Sequence, residues 1–165
     1  MLYWQKPVLG EFKLNVDGSS KCNFQNATSG GILRDYTGSL VFGFYENFGV
    51  KNSIQAELLA LYKGLILCRD YGISHLWIEM DALVVIQMLT GRYRGSHDSR
   101  YLLANIQNLH NYFSYKLSHI FQEGNQAADL LVNLGYEYHS LQVFTVPFGK
   151  LQGILRLDKI DLGYV

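Results

Sequence analysis

A run of strand patterns followed by alternating helices and strands predicts an α/β fold: a five-stranded mixed sheet with helices on both faces. Three features predict it. Residues 11–46 hold three short segments of strand character separated by tight-turn signals, the pattern of an antiparallel meander. Residues 53–134 then interleave helical and strand periods. Hydrophobic residues make up 48% and charged residues 17% of 165, enough for one domain to bury a core without disulfides or structural metal.

The elements follow in order. Residues 1–10 read as an extended arm, because Pro7 and Gly10 discourage helix. From Glu11 the chain alternates, with Phe12, Leu14 and Val16 on one face and Lys13, Asn15 and Asp17 on the other. That is a half-buried strand ending in an Asp17–Gly18 turn. SGGILRDY is a second strand, 36–39 a turn and LVFGFYE a third strand. Residues 53–70 take helical period and are rich in Ala and Leu, with Gly72 as the stop. Residues 75–79 form a strand, 81–89 a short helix and 91–98 a polar loop. Leu102, Ile106, Leu109 and Phe113 mark one face of a longer helix. Residues 115–121 are the fifth strand and 125–134 another helix. The last thirty residues are apolar but irregular, with Pro147 and several Gly. The expected organisation is an arm over 1–10, a catalytic domain over 11–139, and a tail over 140–165 packed on the domain.

Composition narrows the function classes. No apolar run of about 18 residues offers a membrane span, and the first dozen residues lack the form of a cleavable signal. Cys22 and Cys68 are too few and too far apart for a disulfide framework or a zinc site, so a reduced intracellular setting, nucleus or cytoplasm, is expected. Fourteen basic and fourteen acidic residues cancel, which counts against strong autonomous binding of nucleic acid but leaves room for a local basic face. Lys21, Arg92, Arg94 and Arg100 are the cations available to phosphates; they read equally well as solvated surface charge.

Four carboxylates end or interrupt apolar segments: Asp17, Glu57, Asp81 and Asp129. Acids placed that way converge on positive charge, and a pair of Mg²⁺ ions is the usual candidate. Each also has a local explanation. Asp17 with Gly18 is a routine turn pair. Asp81 suits the N-cap of the helix after it, and Asp129 suits the dipole of a helix that Asn125 would cap. Glu57 resists such treatment. It shares a stripe with Ile54, Leu61, Gly64 and Cys68, with no Lys or Arg one turn away, and a buried carboxylate without a partner is costly. Glu79 shares the strand of Asp81 and competes with it for any metal role.

DG after the first strand, AEL on the first long helix, EMDA closing the fourth strand, and His119 followed by EGN and Asp129 together resemble the ribonuclease H family. The stretches WQKPVLGEFKLNVDG, GGILRDYTG, AELLALYKGLILC and EGNQAADLLV, and the tail from Pro147 through Asp158 to Gly163, are similar to its plant, retrotransposon-related branch. The resemblance covers nearly the whole chain. It implies an RNase H-like fold with strand order 3-2-1-4-5. It also implies hydrolysis of the RNA strand of RNA–DNA hybrids by two ions about 4 Å apart, Mg²⁺ or Mn²⁺. Asp17 would bridge both ions, Glu57 and Asp81 would hold one and Asp129 the other, while His119 would assist proton transfer or product release. On the residues alone, His119 also reads as an ordinary strand-edge histidine.

Candidate substrate contacts are Gly18, Ser19, Ser20, Asn52, Ser53 and Asn125, where a ribose 2′-OH could be read; for the serines and Asn52 the turn and cap reading is favoured. The chain departs from the family at Met80, where a small polar residue is usual, and at 91–98, too short for the basic protrusion of some members. An RNase H-like binding module with little turnover is therefore the alternative. A DNA nuclease of the same superfamily is a third possibility, which the Gly-rich, AEL and EGN order disfavours. The partner expected is an RNA–DNA hybrid rather than a membrane, acted on by a monomer or by part of a larger polyprotein.

Overall fold

A computed structural model describes residues 3–21, 26–92, 94–138 and 140–160. Cys22 and the end of the tail, Gly163 included, lie outside the described residues. The strands are β1 (Phe12–Lys21), β2 (Asn26–Arg34), β3 (Leu40–Gly49), β4 (His75–Met80), β5 (Ser114–His119) and β6 (Gln142–Phe144). The helices are α1 (Ser53–Asp70), α2 (Leu83–Leu89), α3 (His97–His110), α4 (Gln126–Gly135) and α5 (Gly149–Lys159). They build one mixed sheet in the order β5-β4-β1-β2-β3-β6. The predicted five-strand order is present, and β6 adds a sixth strand beyond β3.

β1, β2 and β3 are an antiparallel meander, whereas β1, β4 and β5 run parallel. Alternation sends successive β-strand residues to opposite faces. Leu14, Val16 and Leu33 therefore pack with Leu58, Leu61 and Leu65 of α1 and Leu103 and Ile106 of α3. Ile32 and Tyr45 pack on the other side with Ala127 and Leu131 of α4 and Leu151 and Leu155 of α5. α1 starts at a capping box: the Asn52 side chain accepts from the Gln55 amide at 2.8 Å, and Gln55 Oε1 accepts from the Asn52 amide at 3.0 Å.

Two expectations fail for physical reasons. The tail is not irregular: its three-residue β6 pairs with Gly43–Tyr45 of β3, and α5 packs under β2 beside α4. Nor is β1 half-buried, for Lys13 and Asn15 are as inaccessible to solvent as Leu14. The arm covers them. Trp4 Nε1 donates to Asn15 Oδ1 at 2.8 Å, the Arg34 guanidinium stacks on the Trp4 ring, and Arg34 Nη1 reaches Asp158 of α5 at 2.6 Å. Lys13 Nζ lies 3.0 Å from Glu79 Oε2, donates to the Gln5 carbonyl at 2.8 Å, and sits over the Trp77 ring. Burial beside Trp77 lowers the Lys13 ammonium to about 8 despite the Glu79 partner.

Candidate active site

Parallel pairing carries the acids to one edge. The β1–β4 register ends at Val16 opposite Met80, so Asp17, still within β1, and Asp81, just past β4, come side by side. Met80 also pairs with His119 at the end of β5. The carboxyl ends of β4 and β5 thus form one rim with the middle of β1, and the ends of parallel strands are the usual place for a site in such sheets.

Gly18 brings the fourth element in. It sits within β1, opposite Ser29, and does not form the turn expected after Asp17. A Cβ at Gly18 would overlap the backbone of Ala56 and Glu57, so its bare α-carbon lets α1 approach β1 and delivers Glu57 to the rim. Ser29 Oγ donates to the Ala56 carbonyl at 2.6 Å and holds the helix there. We expect Gly18→Ala to push α1 outward and cost about 1–3 kcal/mol of stability. Chemical denaturation checks this, and an unchanged midpoint would contradict it.

Asp17, Glu57 and Asp81 each present a ligand oxygen within 4.8 Å of the others. Asp129, in the first turn of α4, lines the same cleft but stands outside that close set. The cleft is further lined by Gly18, Ser19, Ser20, Ser53, His119, Phe121 and Gln122. Burial, reinforced by the Asp81 charge, pushes the Asp17 carboxyl from 3.8 up to about 7. Burial and then the Asp17 charge drive Glu57 well above the ordinary carboxylate range. Burial also raises Asp81, while the Asn125 amide and His119 act in the opposite direction. Glu57 Oε2 is buried without a hydrogen-bond partner among the described residues. Such a cluster is repulsive as it stands and becomes favourable when a cation enters. Its all-oxygen donor set fits a hard divalent ion.

The local explanations for single acids fall away unevenly. Asp81 is no helix cap: Ala82 occupies that position and α2 starts without a side-chain cap. Glu79 is no metal competitor, being fully buried against Lys13 and Asn15. Asp129 keeps its place at the positive end of α4 while also facing the cleft.

Among the expected substrate contacts, Gly18, Ser19, Ser20 and Ser53 line the cleft. Two do not. Asn52 is engaged in the α1 cap. Asn125 is 1% exposed, donates from Nδ2 to the Val16 carbonyl at 3.1 Å and supports Asp81, so it positions the site rather than meeting a substrate. Its side chain does not cap α4 either. His119 Nε2 lies 3.2 Å from the Asp81 carbonyl oxygen, and its ring meets Phe121 edge-on. Phe121 and Gln122 lie in the cleft unanticipated. Their signal was position alone, two and three residues after His119. Arg92, Arg94 and Arg100 are exposed and do not line the cleft.

A family model described as "Reverse transcriptase-like" matches residues 15–135, a stretch that contains all four acids and His119. A protein of Arabidopsis thaliana named as a candidate ribonuclease H is 31% identical across 97% of this chain and 26% of its own length. The chain thus spans about a quarter of that relative. Ribonuclease H1 of Halobacterium salinarum superposes with a TM-score of 0.72 at 25% identity, over 77% of this chain and 98% of that one. The N-terminal RNase H domain of a Mycobacterium tuberculosis protein gives 0.72 at 22%, over 77% and 94%. LC11-RNase H1, solved with an RNA/DNA hybrid, gives 0.71 at 21%, over 76% and 96%. These last two likenesses establish the fold alone.

Proposed function

This chain belongs to the ribonuclease H family, and on that premise we propose that it hydrolyses the RNA strand of RNA–DNA hybrids with two divalent ions, Mg²⁺ or Mn²⁺. The observation that carries the proposal is the meeting of Asp17, Glu57 and Asp81, from three separate elements, within 4.8 Å in a cleft that Asp129 also lines. A fold does not concentrate carboxylates with raised proton affinities for stability, because each repels the others.

Asp17 would be shared by both ions, with Glu57 and Asp81 helping to hold one and Asp129 the other. Bound there, the ions would activate the attacking water and neutralise charge on the departing 3′ oxygen. The protein's own groups set the geometry. Gly18 N–H donates to Asp17 Oδ1 at 2.9 Å and fixes that carboxylate. Asn125 orients Asp81 from beneath. His119, which lines the cleft beside Asp81, would accept and pass on a proton. Ser20 and Ser53 line the cleft where a ribose 2′-OH would distinguish RNA from DNA.

One observation favours a hybrid-binding module with little turnover: no Lys or Arg lines the cleft among the described residues. A cleavage assay separates the two. The purified chain is given labelled RNA–DNA hybrid, double-stranded RNA or double-stranded DNA, with Mg²⁺, Mn²⁺ or EDTA. We expect metal-dependent cleavage of the hybrid alone. Binding without cleavage in either metal would establish the module instead, and cutting of duplex DNA would overturn both.

A further inference from the structure

Four acids face a polyanion in this cleft, and no described lining residue is a lysine or arginine. Phosphate contacts supply most of the affinity in nucleic-acid binding, so a bound strand needs a cation close to the acids. The fold offers one on β1. Asp17, Ser19 and Lys21 alternate onto one face of that strand, and Tyr136 follows as the C-cap of α4. Ser19 Oγ and the Tyr136 hydroxyl share a hydrogen bond of 2.6 Å. The Lys21 ammonium rests over the Tyr136 ring, 4.2 Å from its centroid. Ser19 lines the cleft, which ties this group to the acids.

Five other cations are committed elsewhere. Lys13, Arg34, Lys63, Arg69 and Lys116 have carboxylate partners; Lys21 has none among the described residues, and it shares the β1 face of Asp17 and Ser19. Lys21 is exposed. The ring beneath it limits the side-chain freedom that a new contact would otherwise have to freeze, and it leaves ammonium N–H donors for a phosphate oxygen. The ammonium is therefore held in place with its hydrogen-bonding capacity facing solvent.

We propose that Lys21, supported by Tyr136 and Ser19, anchors a backbone phosphate of nucleic acid bound in the cleft, about 13 Å along β1 from Asp17. The anchor rests on the hybrid-nuclease reading above. It acts on affinity and placement and takes no part in bond cleavage.

The test is hybrid binding in an Asp81→Asn background, in which cleavage is silenced, followed by anisotropy between about 50 and 200 mM salt. Lys21→Ala and Lys21→Gln should each weaken binding several-fold at the lowest salt. Each should also reduce the slope of log K against log salt by about 0.9, the amount expected for one lost phosphate contact. Lys21→Arg should restore the slope. Tyr136→Leu should behave like Lys21→Ala, and Tyr136→Phe, which keeps the ring, should retain the parental slope. Both neutral Lys21 variants should melt at the parental temperature, since the side chain is exposed. Unchanged slopes in Lys21→Ala and Lys21→Gln would overturn the anchor alone. If the Asp81→Asn parent binds no hybrid at any salt, the nuclease reading falls and the anchor with it.

Discussion

Asp17→Asn should render the protein inert toward RNA–DNA hybrid and, at the same time, make the metal-free fold more stable at pH 8. Loss of activity follows because Asp17 faces Glu57 and Asp81 within 4.8 Å and is the group proposed to be shared between both ions. The gain in stability follows from linkage. The folded carboxyl is raised from 3.8 to about 7, so the folded state holds its proton more tightly than the unfolded chain does. Its contribution is fully present below about pH 4 and is lost as pH climbs through 7. About three pKa units correspond to roughly 4 kcal/mol for an isolated group. Because Glu57 titrates with Asp17, a gain on the order of 2–4 kcal/mol in the variant is the better expectation. Asn keeps an Oδ1 to accept from the Gly18 amide, so the local fold should survive. Urea melts of both proteins in EDTA between pH 4 and pH 8 measure the effect. Equal stabilities at pH 8 would show that the acids do not strain one another.

Glu79→Leu should be among the most destabilising single changes, at about 3–5 kcal/mol, because it strands the Lys13 ammonium in a site closed to water. Adding Lys13→Met should recover most of that loss, since an apolar pair of similar volume avoids the desolvation of both charges. The single variant also carries a pH signature. Without Glu79 the already lowered Lys13 falls further below 10.5, so the folded state releases its proton first and stability rises with pH. Thermal melts from pH 6 to pH 10 should show the smallest loss at the alkaline end. A double variant no more stable than the single would mean that the Trp4–Asn15–Arg34 contacts, rather than the ion pair, govern this region.

That buried network shows where sequence alone runs short. Lys13 and Asn15 alternate with apolar neighbours as solvent-facing residues do. Their burial depends on Trp4, which bonds Asn15, and on Arg34, which also bonds Asn15 and is held by Asp158 near the other end of the chain; these residues meet only in space. β6 escaped notice for a similar reason: three residues are too few to show alternation, and the strand is defined by its pairing with β3. Glu57 was legible because a carboxylate in an apolar helical stripe is expensive wherever it lies. The Asp17–Gly18 pair suggested a turn because the same dipeptide serves two purposes, and only the proximity of α1 shows why Gly18 must lack a side chain. Residues 53–70 were placed to the residue, since helical period, the Asn52 cap and the Gly72 stop agree.

Crystals grown with Mn²⁺ give the most direct measurement, because anomalous scattering reports the position of each ion without reference to activity. Two peaks are predicted in the cleft, one among Asp17, Glu57 and Asp81 and the other between Asp17 and Asp129. Ordered carboxylates in the cleft with no peak beside them, or Mn²⁺ bound only elsewhere on the surface, would contradict the account.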